Sequence, residues 1–297
     1  MNRNTFRGKL ELNINTIIES NKFYIDSEIF SANFKTIIEK YCENKIAFSY
    51  YIALYKKALA EARNGNITSA ALLIEKACKN VDFTFFSEDE INVYKLQSFT
   101  IDAYMLYKKE DFFGSIQKTF EVMELDNLFE SEFPFIYFHK IQQLQNISRV
   151  YLKCSDYQNF TKTIDLMFQN LLFNHSVKFE DELFTSKNLD LNLDLRILMT
   201  YQVFFETIRF LEKSDENELH HFNACFKTIL VNRDKESVFT DLNGILHWAA
   251  IKNDLLNNET ISESLIDNYL HSSKKFTDEV PTLSLLRSLK NNLVPQK

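Results

Sequence analysis

The chain has 297 residues and a formal charge of −7, with 45% hydrophobic and 25% charged residues, an ordinary balance for a folded protein. Only 4 Gly and 3 Pro accompany 28 Phe, so there is little material for hairpin turns or glycine-rich loops, and helices become the default. The acidic excess argues against direct nucleic-acid binding, which needs a basic face, and no run approaches the roughly 20 apolar residues of a membrane span.

The first stretch, "MNRNTFRGKLELNINTII", carries Arg3, Arg7 and Lys9 but no apolar run of signal-peptide length. Cys42, Cys78, Cys154 and Cys225 form no CxxC, and Cys78 and Cys225 fall among apolar helical positions. Reduced, mostly buried thiols and a cytoplasmic protein are the expectation. Residues 1–47 read as an irregular N-terminal helical cap over the next helices of the chain.

In "YKKALAEARNGNITSAALLIEKACKN" (residues 55–80), Ile52, Tyr55, Leu59 and Ala62 form one helical stripe, and Ile67, Ala70, Ile74 and Ala77 form a second. Between them Gly65 can take the left-handed conformation that closes a helix, and Asn66 can cap the next. The same design returns twice at a spacing of 45, with turns Asn64-Gly65-Asn66-Ile67, Lys109-Glu110-Asp111-Phe112 and Cys154-Ser155-Asp156-Tyr157. Cap residues Asn66, Asp111 and Asp156 are in phase, and each is followed by an apolar stripe. Such self-similarity predicts a helical repeat with turns near Gly65, Glu110 and Ser155.

With a cap, then an aromatic or aliphatic residue, then the small residues Ala70 and Ala77, the segment "GNITSAALLIEKA" resembles the tetratricopeptide repeat family. The spacing of 45 exceeds that family's roughly 34 residues, and Ser115, Phe160, Val122 and Met167 replace the small residues in the later copies. The resemblance covers about Phe48 to Leu172. It implies an all-α chain, an α-solenoid or right-handed superhelix of antiparallel helical hairpins. Residues 48–172 would hold three hairpins, and residues 173–297 further hairpins and a closing helix continuous with them.

Beyond Leu172 the phase is lost. "NHSVKFEDELFTSKNLDLNLDLRI" is polar enough for a loop, and Leu189, Leu191, Leu193, Leu195 and Ile197 alternate like a strand. An extended segment there needs a partner, and "LELNI" (Leu10 to Ile14) alternates too. Helices resume with "ILMTYQVFFETIRFLEK" and "SDENELHHFNACFKTIL", where Asp215 and Glu218 suit a capping box. "VFTDLNGILHWAAIKNDLL" and "NETISESLIDNYL" come next, with Thr260 and Glu263 as the same device. Pro281 suits the first turn of a last helix reaching about Leu293.

Signals for chemistry are sparse. The glycines lie in no GxGxxG or GxxxxGK pattern, so no nucleotide cofactor is expected. His221 and Cys225 share a helix face at metal-ligand separation, but a core cysteine beside a partly exposed histidine explains them more simply. Packing likewise explains His247 and Trp248. No cofactor, no metal and no catalytic residue is assigned.

The resemblance implies that the first helix of each pair lines a concave groove where extended peptides bind. By alignment the groove residues of the second pair are Gln97, Thr100, Tyr104, Tyr107 and Lys108. Those of the third are Gln142, Gln145, Arg149, Leu152 and Lys153, and the first pair adds Arg63 beside Ile52, Tyr55, Leu59 and Ala62. Amides suit a peptide backbone, tyrosines offer flat contact, and cations suit a carboxylate. Arg63, Lys108 and Lys153 also recur where a cation complements a helix C-terminus. The expected function is a non-enzymatic adaptor for a peptide or protein segment, with a homodimer possible. The alternatives are a peptide-sensing regulator resembling bacterial pheromone receptors, though residues 1–47 show no basic helix-turn-helix, and an accessory subunit of an enzyme.

Overall fold

The computed structural model describes residues 3–20, 28–185, 187–214, 217–232, 239–276 and 279–291. About 80% of these are helical. In chain order the helices are α1 (Arg3–Ser20), α2 (Glu28–Tyr41), α3 (Lys45–Arg63), α4 (Ile67–Lys79), α5 (Glu88–Lys108), α6 (Phe112–Phe129) and α7 (Ile136–Lys153). They continue with α8 (Tyr157–Phe173), α9 (Leu193–Leu211), α10 (Glu218–Cys225), α11 (Lys227–Val231), α12 (Asn243–Leu256), α13 (Glu263–Ser272) and α14 (Val280–Asn291). The chain gathers into two units, Asp26–Asp156 and Met1–Ile25 with Tyr157–Lys297.

In the Asp26–Asp156 unit, α3 packs on α4, α5 on α6, and α6 on α7, while α3 and α2 both rest on α5. The turns lie where the repeat puts them. Gly65, Glu110 and Ser155 have φ of 86°, 62° and 61°, all left-handed. Each ends its helix through the same pair of bonds, in which the next residue's N–H returns to the carbonyl five positions back. These are Asn66 to Glu61 at 2.9 Å, Asp111 to Leu106 at 3.0 Å and Asp156 to Tyr151 at 2.9 Å. The left-handed residue's own N–H reaches Ala62, Tyr107 and Leu152 in turn. Three carbonyl ends are thus closed by one geometry, which is why the cap chemistry recurs in the sequence.

The caps themselves differ. Asp111 accepts from the Gly114 N–H at 2.9 Å. A Cβ at Gly114 would lie 2.5 Å from an Asp111 carboxylate oxygen, so glycine clears the space this cap occupies. Asn66 makes no such bond; its amide donates to Glu61 at 2.8 Å instead. Between the hairpins the small side chains let helices approach: Ala58, Ala62, Ala70 and Met105 form a closed cluster, with Ile67, Leu73, Ile74 and Tyr104 at its edge. Where Ser115 takes the place of Ala70, its hydroxyl donates to the Ala103 carbonyl at 2.9 Å, so the polar atom is satisfied in the core.

The other unit combines α1 with α8 to α14. Helix α8 packs on α9, α10 and α11, and α12 on α13 and α14. Helix α1 lies against α13 and α14, with Phe6 and Leu10 buried and Lys9 paired to Asp267 at 2.7 Å. The "LELNI" stretch is therefore helical and pairs with no strand. The alternating leucines also build helix: Leu189–Leu191 form a 3-10 turn, and Leu193 opens α9. The strands lie just before them, Val177–Phe179 against Glu182–Phe184, joined by a two-residue turn with Glu180 at φ 50°. No Gly or Asn marks that turn, so nothing local distinguishes the hairpin from a polar loop.

Arg196 secures this insertion from a wholly buried position. It donates to the Leu171 carbonyl at 2.7 Å, Asn174 at 2.5 Å and Asp190 at 3.1 Å, and lies over Phe239. Trp248 is the centre of the aromatic core, 5.1 Å from Phe204 and 5.4 Å from Phe226, and its indole N–H donates to the Pro281 carbonyl at 2.9 Å.

Other expectations change. The helix expected over "ELHHFNACFKTIL" breaks at Phe226, whose ring turns in to stack on Phe168 at 5.2 Å. Ser262, not Thr260, caps α13. The expected Asp215 cap and the helix end near Leu293 lie outside the described residues. Only Cys42 and Cys225 are buried; Cys78 and Cys154 are exposed, because each falls at the solvent side of a helix end.

Candidate functional site

All nine residues expected to contact a peptide lie in the Asp26–Asp156 unit, on α3, α5 and α7. The cations Arg63, Lys108 and Lys153 are each the last residue of their helix, where the C-terminal carbonyls favour positive charge. Arg63 and Lys153 are exposed and Lys108 is half-buried.

A compact group forms around the end of α5. The Tyr104 and Tyr107 rings lie 5.9 Å apart, and the Lys108 ammonium is 6.0 Å from the Tyr104 ring centre. Tyr107 approaches Phe112 across the turn at 6.3 Å. Burial pushes the Tyr107 hydroxyl up and Tyr104 adds to this, while the charge of Arg149 on α7 opposes it. That coupling places Arg149 within electrostatic reach of Tyr107. Arg149 is exposed and donates to the Asn146 side chain at 2.8 Å.

Gln145, one turn before Arg149, is fully buried, and among the described residues neither of its amide atoms has a hydrogen-bond partner. Gln97 and Gln142 are half-buried. The first hairpin contributes less than expected. Ile52, Tyr55 and Ala62 are core residues, and Tyr55 directs its hydroxyl to the Cys78 sulfur at 3.6 Å. The stripe expected to line a groove is the face that packs on α4 and α5, so only Arg63 remains exposed at its end.

Two polar groupings are invisible in the sequence. Asp102 sits half-buried on α5, and burial, opposed by Lys118, pushes its carboxyl up to about 6. Asp126 and His139 form a buried pair between α6 and α7 at 2.7 Å. Neither grouping has local spacing to announce it, because the partners come from different helices.

The expected pairing of a core cysteine with a partly exposed histidine describes α10. Cys225 is buried, while His221 stacks on Phe210 at 5.0 Å and meets the Ser214 hydroxyl at 3.2 Å. Half-buried His247 meets Ser272 at 3.1 Å. Among the described residues no three metal-ligating side chains converge, and no helix is long and apolar enough to cross a membrane.

No family model, curated protein or solved structure matches this chain. The group at the ends of α5 and α7 brings together two flat aromatic rings, an ammonium and a guanidinium.

Proposed function

We propose that the chain is a non-enzymatic, tetratricopeptide-like adaptor that binds an extended acidic peptide segment across the ends of α5 and α7. The observation that carries this reading is the cluster of Tyr104, Tyr107 and Lys108 within reach of Arg149. In a chain of charge −7 it sets one cation over an aromatic ring and a second within electrostatic reach of the neighbouring tyrosine. Tyrosine offers contact area at low entropy cost, and a guanidinium fork fits a carboxylate through two parallel bonds. The in-phase turns support the same reading, since they make the final residues of α3, α5 and α7 equivalent positions along the chain.

The test uses a fluorescent acidic peptide with a free C-terminal carboxylate, measured by polarisation against the wild type and Lys108→Glu/Lys153→Glu. The double change is expected to abolish capture while the circular dichroism and melting temperature hold. The loss should exceed the roughly 0–1 kcal/mol of an exposed ion pair, because binding desolvates the partners. Equal affinity for both proteins would refute the assignment. It would then leave the three cations as complements to helix ends.

A further inference from the structure

Five side chains form one hydrogen-bonded file from the core of the Asp26–Asp156 unit to its surface. Fully buried Asp126 of α6 holds its Oδ1 2.7 Å from His139 Nδ1. On the other side of the ring, His139 Nε2 is 3.1 Å from the Gln143 amide nitrogen. Asn146 Nδ2 donates to Gln143 Oε1 at 3.1 Å, and Arg149 Nη1 donates to Asn146 Oδ1 at 2.8 Å. Residues 139, 143, 146 and 149 follow α7 at helical spacing, so a single face carries the file.

The ends fix its direction. A guanidinium can only donate, so Asn146 must offer it Oδ1 and turn its NH2 to Gln143. Gln143 in turn directs its NH2 at His139 Nε2, which must then carry a lone pair. The imidazole proton accordingly sits on Nδ1 and is donated to Asp126. Protonating His139 makes Nε2 a donor as well. Gln143 then has to present Oε1 to the ring, which gives up the bond its NH2 makes to the His139 carbonyl at 3.4 Å and turns that NH2 towards Asn146. Asn146 must answer with Oδ1, and its NH2 swings to Arg149. Two donors now face each other, and that hydrogen bond is lost.

We propose that the Asp126–His139 pair is a proton-operated switch that sets, through two amide reversals, how Arg149 is held at the peptide-binding face. The ligand side of this inference rests on the function proposed above; the reversal itself does not. Among the described residues few charges adjoin the pair. Glu130, just past the end of α6, and Lys140 of α7 lie nearest, 3.3 Å from each other, with Lys140 also donating to Asn127 at 2.8 Å. Helix α2 brings the rings of Phe30 and Phe34, edge-on to His139 at 6.1 and 5.0 Å. Asp126 Oδ2 has no hydrogen-bond partner among the described residues, and burial raises its carboxyl, so this oxygen is the rival seat for the proton. A proton there leaves the file pointing the same way.

The experiment is side-chain NMR on the full chain from pH 8 to 5, following the His139 ring and the Arg149 Nε–H group. The expected result is that both move with one midpoint in the wild type. In Asn146→Ala, a change at a half-buried position, the His139 ring signal should still respond to pH while Arg149 stays flat. Affinity for the acidic carboxylate peptide should fall about tenfold over the same range in the wild type, as Arg149 loses the Asn146 bond that orients its guanidinium, and change little in the variant. A static Arg149 signal beside a titrating His139, or an Arg149 that follows pH equally in Asn146→Ala, overturns the switch. So does titration of Asp126 with no change at His139 Nε2. If the two signals are coupled but the peptide never binds, the function fails and the switch stands.

Discussion

Replacing Glu110 by glycine should stabilise the protein, although it deletes a charged side chain and adds a flexible residue next to a helix. Glu110 sits at φ 62°, where an L-residue is held at a cost of about 1–2 kcal/mol. Glycine removes that strain but loses about 0.5–1 kcal/mol more entropy on folding. Glu110 also places a negative charge at the carbonyl end of α5, against the helix dipole, so its removal adds a few tenths. The net gain is about 0.5–1 kcal/mol, a rise of a few degrees in melting temperature for a unit of this size. The converse change, Gly65→Val, should cost roughly 1–2 kcal/mol. An added Cβ there meets nothing within 4 Å, so the whole penalty is the backbone at φ 86°. Differential scanning calorimetry of both variants decides the matter. Should Glu110→Gly lower the melting temperature, or Gly65→Val leave it unchanged, the left-handed turns are not the devices that end these helices.

Three further outcomes are expected. Ser155→Gly should match Glu110→Gly in sign by the same calorimetry and be a few tenths of a kcal/mol smaller, since φ there is 61° but no charge is removed. Asp102 has a folded-state carboxyl raised to about 6, so its contribution favours folding at low pH and is lost as pH climbs from about 4 through 6. Urea unfolding of Asp102→Asn against wild type should show a difference of roughly 3 kcal/mol appearing over that window, and a pH-independent difference would refute the burial of its charge. Arg196→Met should destabilise by about 2–3 kcal/mol, because the Leu171 carbonyl and Asn174 lose their shared donor while Asp190 stays largely solvated; a chemical-denaturation loss below about 1 kcal/mol would contradict its role as the clamp on residues 174–190.

The parts of the fold legible in the sequence are those set by local chemistry. A glycine at a helix end, caps 45 residues apart and apolar stripes at helical spacing are interactions within a few residues, and they place the turns at Gly65, Glu110 and Ser155. Features that depend on distant partners are not legible. The apolar residues from Leu189 to Ile197 alternate by accident, and α9 buries Leu195 and Met199 on a helical face instead. The hairpin at 177–184 turns on Glu180, a residue no turn rule selects. The candidate site divides in the same way. Tyr104, Tyr107, Lys108 and Arg149 follow from the repeat phase, whereas Tyr55 belongs to the core, because a buried helix face and a groove face share one periodicity. The Asp126–His139 pair needs two helices to meet, and 13 residues of separation conceal it.

The most direct measurement of the central claim is backbone amide chemical-shift mapping with the acidic carboxylate peptide added to the wild-type chain. The largest shifts are expected at Tyr104, Tyr107, Lys108 and Arg149, saturating with one affinity and vanishing when the peptide's C-terminus is amidated and its acids replaced by amides. Shifts confined to other helices, or none at millimolar peptide, would contradict the assignment of this face to peptide binding.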